Sequence, residues 1–204
     1  ATLARADRIL TDSRFIADEI RDTFGVAEHK LRVVPLGVDS RFAPRQPHEI
    51  NEAMQRHGLV AGAYLLVVAT QEPRKNLARL ARAYAALPAD VCKRHPLVIV
   101  GARGWLSAEL EKTLAPLEAR SASRRLGYVS EDNLPLIYAG ARAFAFPSLY
   151  EGFGLPVLES MALSTAVLTS TGGSLPEVAG DAAVIVDPYD VQAMTRGIQA
   201  LDAD

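Results

Sequence analysis

The sequence has little cysteine, few aromatic residues and almost no excess of charge. Cys92 is the only cysteine among 204 residues, which excludes an internal disulfide bond and a multi-cysteine zinc cluster and favours a reducing, cytoplasmic location. Aromatic residues make up 6% of the chain, and the formal net charge is −2. These values argue against a base-stacking RNA module and against a nucleic acid as the main partner. We therefore expect a ligand at a local site.

Long apolar segments are also lacking. No apolar run approaches the roughly 18 residues that a membrane-spanning helix needs, and the first residues do not have the layout of a signal peptide. We expect any contact with a membrane to be peripheral. The chain does not begin with Met and ends in a helical-looking stretch, so we expect it to be a piece of a longer protein.

Several common catalytic patterns are absent. The histidines show no i, i+4 pairing of the zinc-protease type, and neither a Gly-x-x-x-x-Gly-Lys-Ser/Thr loop nor a Gly-x-Ser-x-Gly elbow occurs. The four histidines are His29, His48, His57 and His95. Asp202-Ala203-Asp204 spells the Asp-x-Asp pattern that holds a metal ion in one class of transferases. Because it lies at the very end of the chain, where fraying is expected, we interpret it as coincidence.

Short apolar segments of strand length alternate with longer amphipathic ones. The pattern predicts strands at 8–11, 31–35, 64–69, 97–100, 125–129, 143–146, 166–169 and 183–186, and helices at 13–24, 48–58, 76–87, 106–120, 131–140, 155–163 and 174–179. Strands that are apolar at nearly every position, separated by helices, indicate a parallel sheet covered on both faces. We therefore predict a Rossmann-like, doubly wound α/β domain. The proline-bearing stretch 42–47 is the best linker candidate.

In such a sheet, ligands bind at the carboxyl ends of the strands, near the switch in strand order. The segment Glu151-Gly152-Phe153-Gly154-Leu155 follows one predicted strand and opens a helix with Pro156 in its first turn. The glycines permit close approach of a ligand, and the helix N-terminus favours a phosphate. We expect the backbone of residues 152–155 to approach a ligand closely and to bind its phosphate group.

Two glutamates flank this glycine turn. Glu159 lies about one helical turn beyond Leu155, where a carboxylate accepts hydrogen bonds from sugar hydroxyls much as in a dinucleotide-binding fold. Glu151 precedes the glycines and would face whatever the phosphate is attached to. The alternative is a glycine turn before an ordinary helix with two solvated glutamates. The agreement of strand, loop, helix and paired glutamates favours a binding site.

A second charged segment, Thr70-Gln71-Glu72-Pro73-Arg74-Lys75-Asn76, directly follows the predicted strand 64–69. Two adjacent cations are unfavourable at the head of a helix, but a bound diphosphate reverses that cost. Arg74 and Lys75 are suited to grip phosphate oxygens and to stabilise a leaving phosphate. The alternative is a solvated Arg-Lys pair on the surface.

Two further segments follow predicted strands. Gly127-Tyr128-Val129 offers backbone groups and an aromatic face to a flat base, although Tyr128 as core packing explains the sequence nearly as well. Thr171-Gly172-Gly173-Ser174 is either a loop of close approach or a turn in which Ser174 caps the next helix. These alternatives stay open at the level of sequence.

Together these segments resemble a known family. Glu151 to Glu159 resembles the Glu-x7-Glu signature of retaining glycosyltransferases with two facing Rossmann-like domains (the GT-B fold), often called family 4. Glu72 to Asn76 and Pro147-Ser148-Leu149-Tyr150 are similar to the same family. Thr11-Asp12-Ser13 and the segment 34–39 resemble the part that joins its acceptor domain to its donor domain. The resemblance covers nearly the whole chain.

The resemblance implies that residues 1–40 join an N-terminal acceptor domain outside this chain to a nucleotide-sugar-binding domain at 41–204. It implies a nucleoside diphosphate sugar, with GDP or UDP, lying across the strand ends. Arg74 and Lys75 would bind the diphosphate, Glu159 the ribose and Glu151 the sugar, and the candidate donor-binding residues also include Thr70, Tyr128 and Val129. The transfer would retain the anomeric configuration, without metal or cofactor, to a glycan or lipid-linked acceptor.

Some features leave the donor and the reaction open. Many family members carry glycine at the position of Ala69, and some carry arginine at that of Thr70, so the phosphate contacts are not fixed by the resemblance. A hexose is expected, with mannose as one candidate, in synthesis of a surface polysaccharide. The alternatives are a non-catalytic nucleotide-sugar-binding module, a sugar-nucleotide epimerase and a phosphorylase of the same architecture. We expect this piece alone to transfer little.

Overall fold

A computed structural model describes residues 2–102, 104 and 108–203. The strands are β1 (Ile9–Thr11), β2 (Leu31–Val33), β3 (Leu65–Val68), β4 (Leu97–Val100), β5 (Ser123–Gly127), β6 (Ala143–Phe146), β7 (Ala166–Ser170) and β8 (Val184–Val186). The helices are α1 (Thr2–Arg5), α2 (Arg14–Phe24), α3 (Pro47–His57), α4 (Leu77–Ala85), α5 (Ala89–Arg94), α6 (Ala108–Ala119), α7 (Leu134–Ala139), α8 (Leu155–Ala162), α9 (Leu175–Ala179) and α10 (Val191–Ala203). Two 3-10 turns span Glu28–Lys30 and Pro73–Lys75.

The main sheet contains six parallel strands in the order β5-β4-β3-β6-β7-β8. Successive strands β3, β4 and β5 extend the sheet in one direction, and β6, β7 and β8 extend it in the other. The order therefore reverses between β3 and β6, where the connecting helices lie on opposite faces and leave a crevice. β1 and β2 form a separate two-stranded parallel sheet.

The apolar strands divide the core into two layers. Leu65 and Val67 of β3 pack with residues of α4, α6 and α10 on one face of the sheet. Leu66 points to the other face, into the cluster that includes Met54 of α3 and Val157 of α8. Because successive side chains of a strand alternate between faces, a strand covered on both sides is apolar at every position. The predicted doubly wound α/β fold is confirmed.

The predicted strand boundaries agree closely with the observed ones in the centre of the sheet and less well at the edge strand β5. The predicted bounds of β4 and β6 are confirmed. The predicted strand 125–129 is wrong by two residues at each end, since β5 spans Ser123–Gly127. β5 is an edge strand and contains polar side chains, of which Arg125 pairs with Glu111 at 2.6 Å. The strand therefore lacks the continuous apolar run on which the prediction relied.

Several helices differ from the prediction. The helix expected from residue 131 begins at Leu134. Of the helix expected at 106–120, residues 106 and 107 lie outside the described part, and α6 spans Ala108–Ala119. The short helices α1 and α5 were not predicted, because four and six residues are too few to display a helical period. The division of the chain near residue 40 stays a prediction.

Candidate functional site

Three charged side chains meet where the strand order reverses. Nζ of Lys75 lies 2.7 Å from Oε1 of Glu151, and a guanidinium nitrogen of Arg74 lies 2.6 Å from Oε2 of the same carboxylate. The two cations follow β3 and the glutamate follows β6, and β3 and β6 are neighbours in the sheet. The structure thus brings together the three residues that the sequence predicts to be catalytic.

Asn76 fixes the turn that carries the two cations. Its backbone is left-handed, with φ of 59°, and its buried side-chain amide donates to the carbonyls of Pro147 (3.0 Å) and Pro188 (2.7 Å). The backbone N–H of Leu149 also donates to the carbonyl of Arg74 at 2.8 Å. The turn is therefore attached to the loops that follow two other strands, β6 and β8.

The side chains of Lys75 and Arg74 differ in how far they are exposed and therefore in how freely they can move. The Lys75 side chain is 14% exposed, and its ammonium group lies 4.7 Å from the ring centre of Phe146, within cation–π range. The Arg74 side chain is 43% exposed and also lies 3.6 Å from Glu72. Lys75 is a fixed point charge, whereas Arg74 can turn toward a ligand that enters from solvent.

The glycine turn leads into α8 as predicted. Gly154 is the residue before α8, with φ of 107°, a conformation that favours glycine, and Pro156 lies in the first turn. Leu155 is partly exposed at the head of this helix. The first N–H groups of a helix have no partner within it, so this end of α8 presents hydrogen-bond donors next to Glu151.

Glu159 lies on α8 in a partly buried position. Burial raises the pKa of the Glu159 carboxyl, and the nearby Tyr138 hydroxyl and Arg41 guanidinium oppose that rise. In the described part of the chain, the fully buried Tyr138 hydroxyl has no hydrogen-bond partner of good geometry. Sequence reasoning did not find Arg41 or Tyr138 as neighbours of Glu159, since neither lies within a motif.

The loop at 171–174 directly supports the glutamate loop, residues 147–154, which joins β6 to α8 and carries Glu151. A Cβ atom on Gly173, where φ is 69°, would lie 2.3 Å from the carbonyl oxygen of Glu151. The Ser174 hydroxyl donates to the carbonyls of Glu151 (3.0 Å) and Phe153 (2.8 Å) and makes no capping hydrogen bond to α9. The segment thus approaches the chain's own backbone closely, and Ser174 also stands at the N-cap position of α9 without a side-chain capping bond. Contact of this loop with a ligand stays a prediction.

The remaining predicted residues follow other strand ends along the same edge of the sheet or border the cleft beside Arg74. Tyr128 is 79% exposed, so its interpretation as core packing is wrong, whereas Val129 is buried in the core. Both follow β5, two strands away from β3. Thr70 is exposed and borders an open cleft together with Arg74 and Gly104. Direct contact of these residues with a donor stays a prediction.

The described residues offer no evident metal site. Across 2–102, 104 and 108–203, no three His, Cys, Asp or Glu side chains are grouped to hold a metal ion. Asp202 instead pairs with Arg94 at 3.1 Å and with His95 at 2.9 Å, and Asp204 lies outside the described part. Within the same part, every helix is too short or too polar to cross a membrane.

A doubly wound sheet with cations and a helix N-terminus at its switch point defines a nucleotide- or phosphate-binding class of domain. Comparison with family models gives the particular family. The model described as glycosyl transferases group 1 matches residues 49–204, and the chain belongs to this family. A second model, glycosyltransferase family 4, matches residues 1–42.

Two curated relatives of this chain are named as mannosyltransferases. The chain is 40% identical over 204 residues to O-antigen chain mannosyltransferase B of Escherichia coli, covering 100% of this chain and 54% of that protein. It is 34% identical over 202 residues to the serotype-specific mannosyltransferase WbdA of Escherichia coli, covering 96% of this chain and 24% of that protein. The chain thus spans about half the length, or less, of these relatives.

Solved structures confirm the architecture. WaaG, a glycosyltransferase involved in lipopolysaccharide biosynthesis, superposes with a TM-score of 0.83 at 17% identity, over 97% of this chain and 54% of that one. Anabaena HepE in complex with UDP and glucose gives a TM-score of 0.83 at 20% identity, again over 97% and 54%. At such identities the likeness shows the fold, which is that of one half of a GT-B glycosyltransferase.

Proposed function

We propose that this chain is the donor-binding half of a retaining, metal-independent hexosyltransferase that takes mannose from a nucleoside diphosphate sugar. The observation that carries the proposal is the meeting of Arg74, Lys75 and Glu151 in front of α8, at the switch point of the sheet. The mannosyltransferase names of the relatives support the choice of sugar. Their names also support a role in O-antigen polysaccharide synthesis.

The diphosphate would lie between the cations and the head of α8. Arg74 is exposed enough to rotate onto phosphate oxygens, and Lys75 adds a fixed positive charge. The backbone of residues 152–155 adds N–H donors and the positive end of the helix dipole. These groups supply the positive charge that metal-dependent transferases obtain from an ion, which is why we propose transfer without a metal.

Glu159 would hold the ribose of the donor. It lies on α8 one turn beyond Leu155, on the same helix whose N-terminus faces the diphosphate. A carboxylate accepts hydrogen bonds from two vicinal hydroxyls, as the acidic residue of a dinucleotide-binding fold does. Exposed Tyr128, together with backbone groups at Val129, would then meet the base.

Glu151 would face the sugar and steer the reaction. Its carboxylate is largely buried and lies between Arg74 and Lys75, whose contacts hold it in one direction. As the bond between the anomeric carbon and the phosphate oxygen breaks, Arg74 and Lys75 stabilise the negative charge on the leaving group. The acceptor hydroxyl would pass its proton to the departing phosphate oxygen as its own oxygen bonds to the anomeric carbon on the face that the phosphate leaves, which retains the configuration.

The acceptor would be a glycan or a lipid-linked sugar bound by a part of the protein outside these 204 residues. The length of the relatives supports this division, because the chain matches 54% of O-antigen chain mannosyltransferase B. We further propose that the whole protein acts in the cytoplasm with at most peripheral contact to the membrane.

Calorimetric titration of the chain tests the proposal. GDP-mannose, UDP-glucose, GDP, UDP and ADP are titrated in buffer containing EDTA, with the variants Lys75→Ala and Glu159→Ala. Lys93→Ala serves as the matched control, because Lys93 is exposed at the end of α5. It lies just before the amino end of β4, away from the carboxyl ends of the strands. We expect one nucleotide to be preferred and its binding to be lost in both site variants. Absence of binding at millimolar concentration, or equal loss in Lys93→Ala, would overturn the proposal.

A further inference from the structure

The N-terminus of α2 is attached to the glutamate loop from a distant part of the sequence. The hydroxyl of Ser13 donates to the carbonyl of Gly152 at 2.7 Å, across 139 positions. The same oxygen accepts the N–H of Ile16 at 3.2 Å and so caps α2. Ser13 is completely buried. One hydroxyl therefore both starts a helix and holds the residue after Glu151.

A second contact holds the residue before Glu151. The ring of Tyr150 packs edge-on against Phe15, with 5.7 Å between the ring centres. The Tyr150 hydroxyl donates a hydrogen bond to the carboxylate of Glu19, one turn further along α2. Because Tyr150 and Gly152 are the two chain neighbours of Glu151, α2 determines the direction of the backbone on both sides of it.

A third contact fixes α2 itself. The carboxylate of Glu177 accepts the backbone N–H groups of Arg14 at 2.8 Å and Phe15 at 3.1 Å. A negative charge at this end of a helix is favourable. Glu177 lies on α9, which begins directly after Ser174, and Ser174 holds the carbonyl of Glu151 from the other side. The glutamate loop is thus enclosed between α2 and α9.

We propose that α2 is a positioning element for donor binding, in which Ser13 and Glu19 orient the loop 150–152 so that Glu151 faces the donor sugar. This inference rests on the proposed function. Gly152 has no side chain to restrict its backbone, so the loop needs contacts from outside to keep one conformation. In this proposal Ser13 and Glu19 act through their contacts with Gly152 and Tyr150.

The first test compares two ligand classes on the whole chain. Ser13→Ala and Tyr150→Phe are titrated with GDP-mannose and with GMP, which lacks the second phosphate and the sugar. We expect nucleotide-sugar binding to weaken about fivefold, the equivalent of one hydrogen bond, while GMP binding changes by less than about twofold. Ser13→Thr keeps a hydroxyl and should restore the affinity. Equal weakening for both ligands, or no weakening, would overturn the inference.

The second test needs no ligand. Hydrogen exchange of the amides at 150–153 is measured for the original chain, for Ser13→Ala and for Glu49→Ala. The control removes a comparable helix-capping bond, since Glu49 accepts the N–H of Gln46 at the head of α3. We expect faster exchange at 150–153 only in Ser13→Ala. Unchanged exchange would reject the positioning role even if no nucleotide sugar binds, whereas failed binding with changed exchange would reject the proposed function alone.

Discussion

Nζ of Lys75 lies 2.7 Å from Oε1 of Glu151, although 76 positions separate the two residues in the chain. This contact joins the segment after β3 to the segment after β6 at the point where the strand order reverses. Both side chains are mostly buried, at 14% and 11% exposed. A buried carboxylate and a buried ammonium group each need a partner of opposite charge. Removal of either side chain therefore leaves the other buried charge without that partner.

Lys75→Ala should weaken nucleoside diphosphate binding by about tenfold or more, because a hydrogen bond to a charged group contributes about 1.5–3 kcal/mol. It removes one of two positive charges and leaves Glu151 with Arg74 alone. Titration calorimetry with the preferred nucleotide measures the loss. Lys93→Ala, which removes an exposed lysine elsewhere, should leave the affinity unchanged; an equal loss there would point to net charge rather than to the site.

Asn76→Asp should destabilise the fold by about 2–5 kcal/mol, because two buried carbonyls lose their hydrogen-bond donor. These are the carbonyls of Pro147 and Pro188, at 3.0 and 2.7 Å from the amide nitrogen. Aspartate tolerates the left-handed backbone about as well as asparagine, so strain does not confound the result. Urea unfolding measures the change.

Asn133→Asp is the matched control for that substitution. Asn133 donates to the hydroxyl of Ser130 at 2.9 Å in an exposed position, where water replaces the lost bond. We expect a change within about 0.5 kcal/mol. Similar losses in the two variants would mean that the contacts of Asn76 do not hold the cation-bearing turn.

Glu159→Gln should stabilise the fold at neutral pH and weaken nucleotide binding at the same time. Burial raises the pKa of Glu159, so the folded chain favours its protonated form more than the unfolded chain does. The stability that this provides is complete below the ordinary glutamate pKa of about 4.3 and is lost as the pH rises through the raised value. Glutamine stays neutral, so its advantage should grow from about pH 4 to pH 7.

Urea unfolding at both pH values measures this advantage, and calorimetry measures the binding. Glu52→Gln, at an exposed position of α3, is the control and should change neither quantity. A stabilised variant that binds nucleotide as well as the original chain would remove Glu159 from the donor site. A variant whose stability relative to the original chain does not depend on pH would contradict the role of burial.

The central strands were predictable because burial on both faces leaves a continuous apolar run, as in Leu97–Val100. The bounds of the edge strand β5 were not, because Arg125 satisfies its charge through Glu111 instead of avoiding burial. The same contrast holds at the site. Arg74, Lys75 and Glu151 follow strands whose carboxyl ends must share one edge of a parallel sheet, so their meeting was predictable.

The groups that hold those residues were not predictable in the same way. Ser13 donates to the carbonyl of Gly152 and Ser174 to that of Glu151, across 139 and 23 positions. Serine before a helix has an ordinary explanation as a cap, and Ser13 does cap α2. Its second contact depends on how two loops pack, which local sequence patterns do not contain.

Gly173→Ala should destabilise the fold by about 2–4 kcal/mol, through a strained backbone and a clash that cannot relax. The added Cβ would lie 2.3 Å from the carbonyl oxygen and 2.9 Å from the nitrogen of Glu151, both backbone atoms, at a φ of 69°. Gly152→Ala is the matched control in the same loop, since its Cβ would lie 3.8 Å from Ile16, an ordinary contact. Urea unfolding of both variants measures the difference.

Because the clash falls on Glu151 itself, the chain that remains folded should also bind nucleotide more weakly in Gly173→Ala. If both alanines are tolerated equally, the loop at 171–174 does not support the glutamate loop, and the position of Glu151 depends on α2 and the two cations instead.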